Sequence, residues 1–486
     1  MMKLSKGRLA LTVALTLLSA CGGGGSSGGT ATPPPSGGGG GGGGGSSGGQ
    51  SATCSLLARQ QWADGVLREW YLFPETLPGS LSPAGYSTVE DYIDALTLNA
   101  RNQRRDRYST YLTSIAEENA FFASGASAGF GFRVSTDSIN RRAFIMETFE
   151  DTPAFTAGIE RGDEIVAIGA STSSLQSVST IISNGGSNAV TNALGANTAG
   201  MTRVLRISGA AGTRDLTLTK ADYSLTPVSS RYGARIIQDG AKKVGYLNLR
   251  TFITAANPQL RFAFDTFRRE GVTELIVDFR YNGGGLISTA ELLGDLLGGN
   301  RASSEVFSSF VYRPEKSSNN STHRFVAQPE SVSPTRIAFI TTGASASASE
   351  VVINGMLPYL GDNLGMIGAN SFGKPVGQVA IDRSACDDRL RVVAFSSRNS
   401  ANSDAYYDGL ASTVRRTCRA TDDLTRPLGD AQESSVRQAL DFLAGRTCTP
   451  IATGQTAMAA VEGRTKLELL TPEDADVTQR EVPGAF

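Results

Sequence analysis

The stretch RIAFITTGASASASEVVI, residues 336–353, joins a short apolar run, a string of small residues and the start of an apolar helix. The run Arg336–Ile340 has the length and composition of a buried strand, and Val351, Val352 and Ile353 open a helix. Working outward, the same alternation recurs. Val244–Leu249 reads as a strand, Leu260, Phe264 and Phe267 as one helix face, Leu275–Val277 as a strand, and a helix follows Leu286. Strands alternating with helices predict an α/β domain, here residues 223–448, within an α+β multidomain chain. A serine in the small-residue turn lies near the positive end of a helix dipole, which stabilises an alkoxide or oxyanion. The same serines could equally cap and pack the helix.

A second turn, Asp278-Phe279-Arg280-Tyr281-Asn282-Gly283-Gly284-Gly285, follows the strand ending at Val277. Its glycines permit a sharp turn and bring backbone amides close to a substrate carbonyl. A nucleophilic serine needs a base, and histidine is scarce: His323 is the single one, in a polar stretch (Ser317–Thr322) that reads as a surface loop. A desolvated lysine is the alternative, because burial disfavours the ammonium and lets the amine accept a proton. Lys374 fits, in Ser371-Phe372-Gly373-Lys374-Pro375-Val376-Gly377-Gln378 behind the strand Leu364–Ile367. Pro375 biases it away from helical backbone.

These three segments, in this order, resemble the S41 family of serine peptidases, the carboxyl-terminal processing proteases and their relatives. The resemblance spans about residues 55–445 and takes in Asp106-Arg107-Tyr108-Ser109-Thr110-Tyr111-Leu112 and Gly245-Tyr246-Leu247. It implies that Ser347, the middle serine, is the nucleophile, that Lys374 is its general base, and that Gln378 orients the lysine. It also implies an oxyanion hole from the backbone amides of Ala348 and Gly284, and no metal or organic cofactor. Pro375-Val376-Gly377 replaces the commoner Gly-Thr-Val, the spacing from Ser347 to Lys374 is slightly long, and a cysteine-containing insertion follows Gln378. These departures bear on cleavage specificity.

Ahead of this region, Trp62, Val66 and Trp70, then Val89, Tyr92 and Leu96, form apolar helical stripes within residues 51–125, with Ser87 and Glu90 as a capping box. Residues 126–222 change to short strand-like runs such as Arg142–Met146 and Glu164–Ile168. Gly129-Phe130-Gly131-Phe132, with Asp151–Ala154 and Ala157–Val166, resembles a PDZ domain. Glycine-turned amides in such a loop hold a carboxylate while the adjoining strand edge pairs with a peptide, so Gly129–Phe132 is the expected peptide-binding element.

Residues 1–21 have a basic start, an apolar run too short to span a bilayer, and Leu18-Ser19-Ala20-Cys21, which resembles the lipobox of bacterial lipoproteins. Cys21 is thus the expected lipidation site, and the protein is expected to be exported and lipid-anchored in a bacterial cell envelope. Residues 22–50 are a Gly/Ser/Pro-rich tether that spans roughly 30 Å on average. In an oxidising compartment Cys54, Cys386, Cys418 and Cys448 can form two disulfides or remain free buried thiols. Of three pairings, Cys386 with Cys418 and Cys54 with Cys448 is favoured because the first pair lies within one C-terminal region. Forty-five basic against 46 acidic residues leave no electrostatic footprint for nucleic acid. The polar tail 449–486 is expected to be mobile, although its apolar end, Gly484-Ala485-Phe486, could occupy the chain's own peptide groove. The resulting expectation is a serine endopeptidase that selects protein substrates by their C-termini. The alternative is an inactive lipoprotein that keeps the scaffold and binds peptide or ligand.

Overall fold

Residues Glu274–Asp278, Arg336–Thr341 and Leu364–Gly368 are nearly continuous apolar runs, the pattern of strands covered on both faces of a parallel sheet. They form the middle of a six-stranded sheet in the order Ala234–Asp239, Lys242–Asn248, Glu274–Asp278, Arg336–Thr341, Leu364–Gly368, Arg416–Arg419. All neighbours are parallel except the first pair. The structure, a computed structural model, describes residues 52–453, 467–472 and 475–486. The signal segment, Cys21 and the tether lie outside the described residues.

Successive side chains on these strands serve opposite cores, as the two-residue period requires. Leu275, Val277, Ile337 and Phe339 meet the helices Ala256–Arg269, Ile287–Leu297 and Ala348–Leu360 on one face. Ile276, Ala338 and Ile340 meet Val436, Leu440 and Leu443 of the helix Ser434–Leu443 on the other. The α/β expectation is met by this three-layer arrangement.

The N-terminal helices Leu56–Trp70 and Val89–Asn102 find their core on a second sheet. Leu67, Tyr92, Ile93 and Leu96 pack with Val376, Leu390 and Val392 of the hairpin Val376–Arg383 and Asp388–Arg398. Thr88, rather than Ser87 with Glu90, caps the second helix by accepting from the Asp91 amide. The third unit is a twisted antiparallel sheet of Phe132–Asp137, Arg142–Thr148, Glu164–Gly169, Thr202–Gly209 and Gly212–Thr219. The helices Val178–Gly185 and Asn188–Leu194 close its core.

Three expectations are corrected. The disulfides are Cys54–Cys386 and Cys418–Cys448, not Cys386–Cys418 and Cys54–Cys448. Cys386 ends the turn of the hairpin on which the first helix sits, where Arg59 grips Asp388 with two hydrogen bonds. Cys418 lies in the last strand of the central sheet, and the chain returns beside it so that the Arg419 amide donates to Thr449. His323 stands on the short strand Ser321–Arg324, with Nε2 3.0 Å from Asp295. That hydrogen bond raises its pKa. The described parts of the tail are packed: Leu467–Leu469 adds to the strand Phe132–Asp137, and Val477, Val482, Ala485 and Phe486 are buried.

Candidate active site

Three turns leave the carboxyl ends of adjacent parallel strands, where ligands bind in open α/β sheets. They are Phe279–Gly285 after the strand Glu274–Asp278, Thr342–Ser347 after Arg336–Thr341, and Ala369–Pro375 after Leu364–Gly368.

Within Ser345-Ala346-Ser347-Ala348-Ser349 the three serines have different surroundings. Ser345 and Ser349 are fully buried and donate to the Phe279 and Asn282 carbonyls, tying this turn to the glycine turn. Ser347 is half-buried and takes φ 53°, ψ −116°, a left-handed backbone uncommon outside glycine. Such strain costs about 1–3 kcal/mol and concentrates at functional sites. The conformation also requires Gly284, since a Cβ there would stand 2.7 Å from the Ser347 Cβ. Ala348 supplies the first amide of its helix, a donor that intrahelical bonding leaves unserved.

Lys374 and Gln378 come together, with the lysine Nζ donating to Gln378 Oε1 at 3.1 Å. Gln378 Nε2 donates in turn to the Ser109 carbonyl, so its amide presents oxygen to the lysine. The Ser109 turn is built by Asp106, which is fully buried and accepts from Tyr71, the Ser109 amide and Thr110. That explains the place of Asp106–Leu112 in the motif set. Burial holds the Lys374 amine below the ordinary lysine pKa, against the opposing charges of Glu481 and Asp106. If Lys374 and Gln378 act as the resemblance implies, Gln378→Ala removes one oriented hydrogen bond and is expected to lower kcat about tenfold with little change in KM. Steady-state kinetics on one peptide checks it.

The residue that sequence reasoning missed is Glu350. Fully buried, it accepts from the amides of Ser347 at 3.1 Å, Gly373 at 2.7 Å and Lys374 at 2.8 Å. One carboxylate thus joins the Ser347 turn to the Lys374 turn. Burial raises its pKa, against the opposing hydrogen bonds from the Ser371 side chain and the three amides. A buried acid at the head of an apolar helix was the available signal.

The glycine turn carries hydrogen bonds of its own. The Gly284 amide donates to Asn282 Oδ1 at 2.9 Å, while the Gly283 amide donates to the Glu481 carbonyl at 3.1 Å. Arg280, fully buried, fixes this turn by bonding Asp278, Asp422 and Glu433. The Gly129–Phe132 loop holds the other end of the same tail. Gly131 and Phe132 amides donate to the Phe486 carbonyl oxygen at 2.9 and 3.3 Å.

This geometry can be set beside known proteins. Residues 243–402 match the model of Peptidase family S41. The chain is 27% identical over 282 residues to a chloroplastic C-terminal processing peptidase of Tetradesmus obliquus, covering 54% of each chain. It is 24% identical over 265 residues to a carboxyl-terminal-processing protease of Synechocystis, covering 54% of this chain and 56% of that one. It therefore spans a little over half the length of these curated relatives. Among solved structures, a protein described as an S41 protease from Bacteroides fragilis superposes with a TM-score of 0.60 at 23% identity, over 79% of this chain and 97% of the other. That likeness shows a shared fold.

Proposed function

We propose that the chain is a serine endopeptidase in which Ser347 is the nucleophile and Lys374 the general base. The observation that carries this reading is the single Glu350 carboxylate that holds the backbones of both residues, beside the Lys374–Gln378 hydrogen bond. Ser347 Oγ attacks the peptide carbonyl as its proton passes to the Lys374 amine. The Ala348 and Gly284 amides receive the developing oxyanion, Gly284 in exchange for its bond to Asn282 Oδ1. The tetrahedral intermediate expels the amine, which takes the proton from Lys374, and an ester to Ser347 remains. Water, deprotonated by the same lysine, then releases the acid.

The unit around Gly129–Phe132 serves, in this reading, as a PDZ-like module that selects substrates by their C-termini, as the chain pairing at its strand edge supports. Export and anchoring through Cys21 complete the proposal. Two disulfides fit an oxidising compartment.

The test is hydrolysis of unstructured proteins with free or blocked C-termini, using wild type and Ser347→Ala. Wild type is expected to cleave, blocking to slow it, and Ser347→Ala to lose at least about a thousandfold in kcat. Undiminished cleavage by Ser347→Ala overturns the mechanism. Absence of cleavage by wild type and by the tail variant described next favours the binding-only reading.

A further inference from the structure

The segment Asp476–Phe486 passes the glycine turn of the candidate site and ends in the Gly129–Phe132 loop. Its short helix, Val477–Glu481, packs Val477 with Val482 and Ala485 against Phe121, Phe149 and Ile253. At the end of that helix the Glu481 carbonyl accepts from the Gly283 amide, and its carboxylate is close enough for its charge to bear on Lys374. The fit is close, since a Cβ at Gly283 would stand 2.6 Å from the Arg480 carbonyl oxygen. Arg133 then donates to the Pro483 carbonyl at 2.6 Å.

From Gly484 the segment runs antiparallel along the edge of Phe132–Asp137, with Ala485 bridged to Arg133. The Val134 amide donates to Gly484 at 2.9 Å, and the Phe486 amide donates to Phe132 at 3.0 Å. The Phe486 ring is 1% exposed and lies in the same apolar core as Phe130, Val190 and Leu194. Gly129 must be glycine here, because a Cβ would stand 2.7 Å from the Phe486 carbonyl carbon. An extended peptide would use these same amides, this same edge and this same pocket.

We propose that Glu481–Phe486 is a built-in competitor that fills both the peptide groove and the entrance to the Ser347–Lys374 cleft, and that peptides offering an aromatic side chain to the Phe486 pocket displace it. This rests on the peptidase reading above and specifies the regulation and preference of that site. Substrate binding and strap docking are mutually exclusive, so the strap lowers apparent affinity by the ratio of its effective concentration to its own dissociation constant. With a local concentration near ~1 mM and a segment Kd of ~10–100 μM, that ratio is about 10–100.

The experiment compares wild type with Phe486→Asp, which places a charge in the apolar pocket and leaves the backbone intact, and with a chain ending at Asp476. The probe is a fluorescent peptide of sequence Arg480–Phe486, titrated by anisotropy into each protein in a Ser347→Ala background. Both tail variants are expected to bind it about 10–100-fold more tightly than the parent, and with Ser347 restored to raise kcat/KM by a similar factor. If truncation unfolds the protein, Phe486→Asp alone decides. Equal probe affinity in Phe486→Asp and parent overturns the strap, while Ser347-dependent cleavage would leave the peptidase reading standing. Conversely, tighter probe binding without cleavage by any protein supports the strap and sinks the peptidase reading.

Discussion

Replacing Lys374 by methionine is expected to lower kcat roughly a thousand- to ten-thousand-fold while making the protein more stable at neutral pH. The first effect follows from removing the proton acceptor, since the single histidine has its ring nitrogens directed at Asp295 and Glu291, away from the role. The second follows from linkage. Burial lowers the folded-state pKa of Lys374, so the folded protein resists the charge that the unfolded chain carries freely. The penalty is fully present below the folded pKa and is relieved as pH rises toward the ordinary lysine value. Methionine has similar length and no charge, and avoids the penalty altogether. Thermal unfolding and kinetics on the same preparation separate lost chemistry from lost structure. Activity of the unsubstituted protein should rise with pH through the lowered lysine pKa, because only the neutral amine accepts the serine proton. An arginine at this position, permanently charged, should be as inactive as methionine. Substantial activity in Lys374→Met would remove lysine from the mechanism.

The parts of this site that were legible in sequence are those set by local rules. A β-rich run, small residues and an apolar helix are visible as such, and the three turns could be ordered along one sheet because strand alternation constrains topology. Ser347 differs from Ser345 and Ser349 only in three dimensions, where the flanking pair donate to a turn more than sixty residues earlier in the chain. The disulfides failed for the same reason. Cys54 and Cys386 are 332 residues apart in sequence, yet the first helix and the hairpin that carry them share one core. Composition also misled at the tail. Residues 449–486 are polar on average, but Val477, Val482, Ala485 and Phe486 supply a sparse set of anchors whose cavities are provided by distant residues.

Glu350→Ala is expected to cost several kcal/mol of stability and most of the activity, by an argument that Lys374 does not share. Three amides, that of Gly373 buried and those of Ser347 and Lys374 partly so, would lose their acceptor, each at roughly 1–3 kcal/mol unless water enters. Two of them belong to the Lys374 turn and the third to Ser347 itself, so both turns loosen together. Misplacement of reacting groups by about 1 Å costs on the order of a hundredfold in rate. Glu350→Gln is the sharper variant. It keeps the volume and one oxygen acceptor but sets an NH2 group against an amide donor. It also removes a negative charge that raises the Lys374 pKa. The expected result is a folded protein with kcat lowered about a hundredfold and KM nearly unchanged. Its pH–rate profile should move to lower pH, because the lysine loses its proton more readily. The profile shift reports the lost charge and the fall in kcat at the optimum reports lost positioning; a merely structural glutamate would change stability and leave that kcat unchanged. If Glu350→Gln keeps both the rate and the pH dependence of the parent, the carboxylate does not position the pair, and the link between Ser347 and Lys374 must be sought in the glycine turn instead.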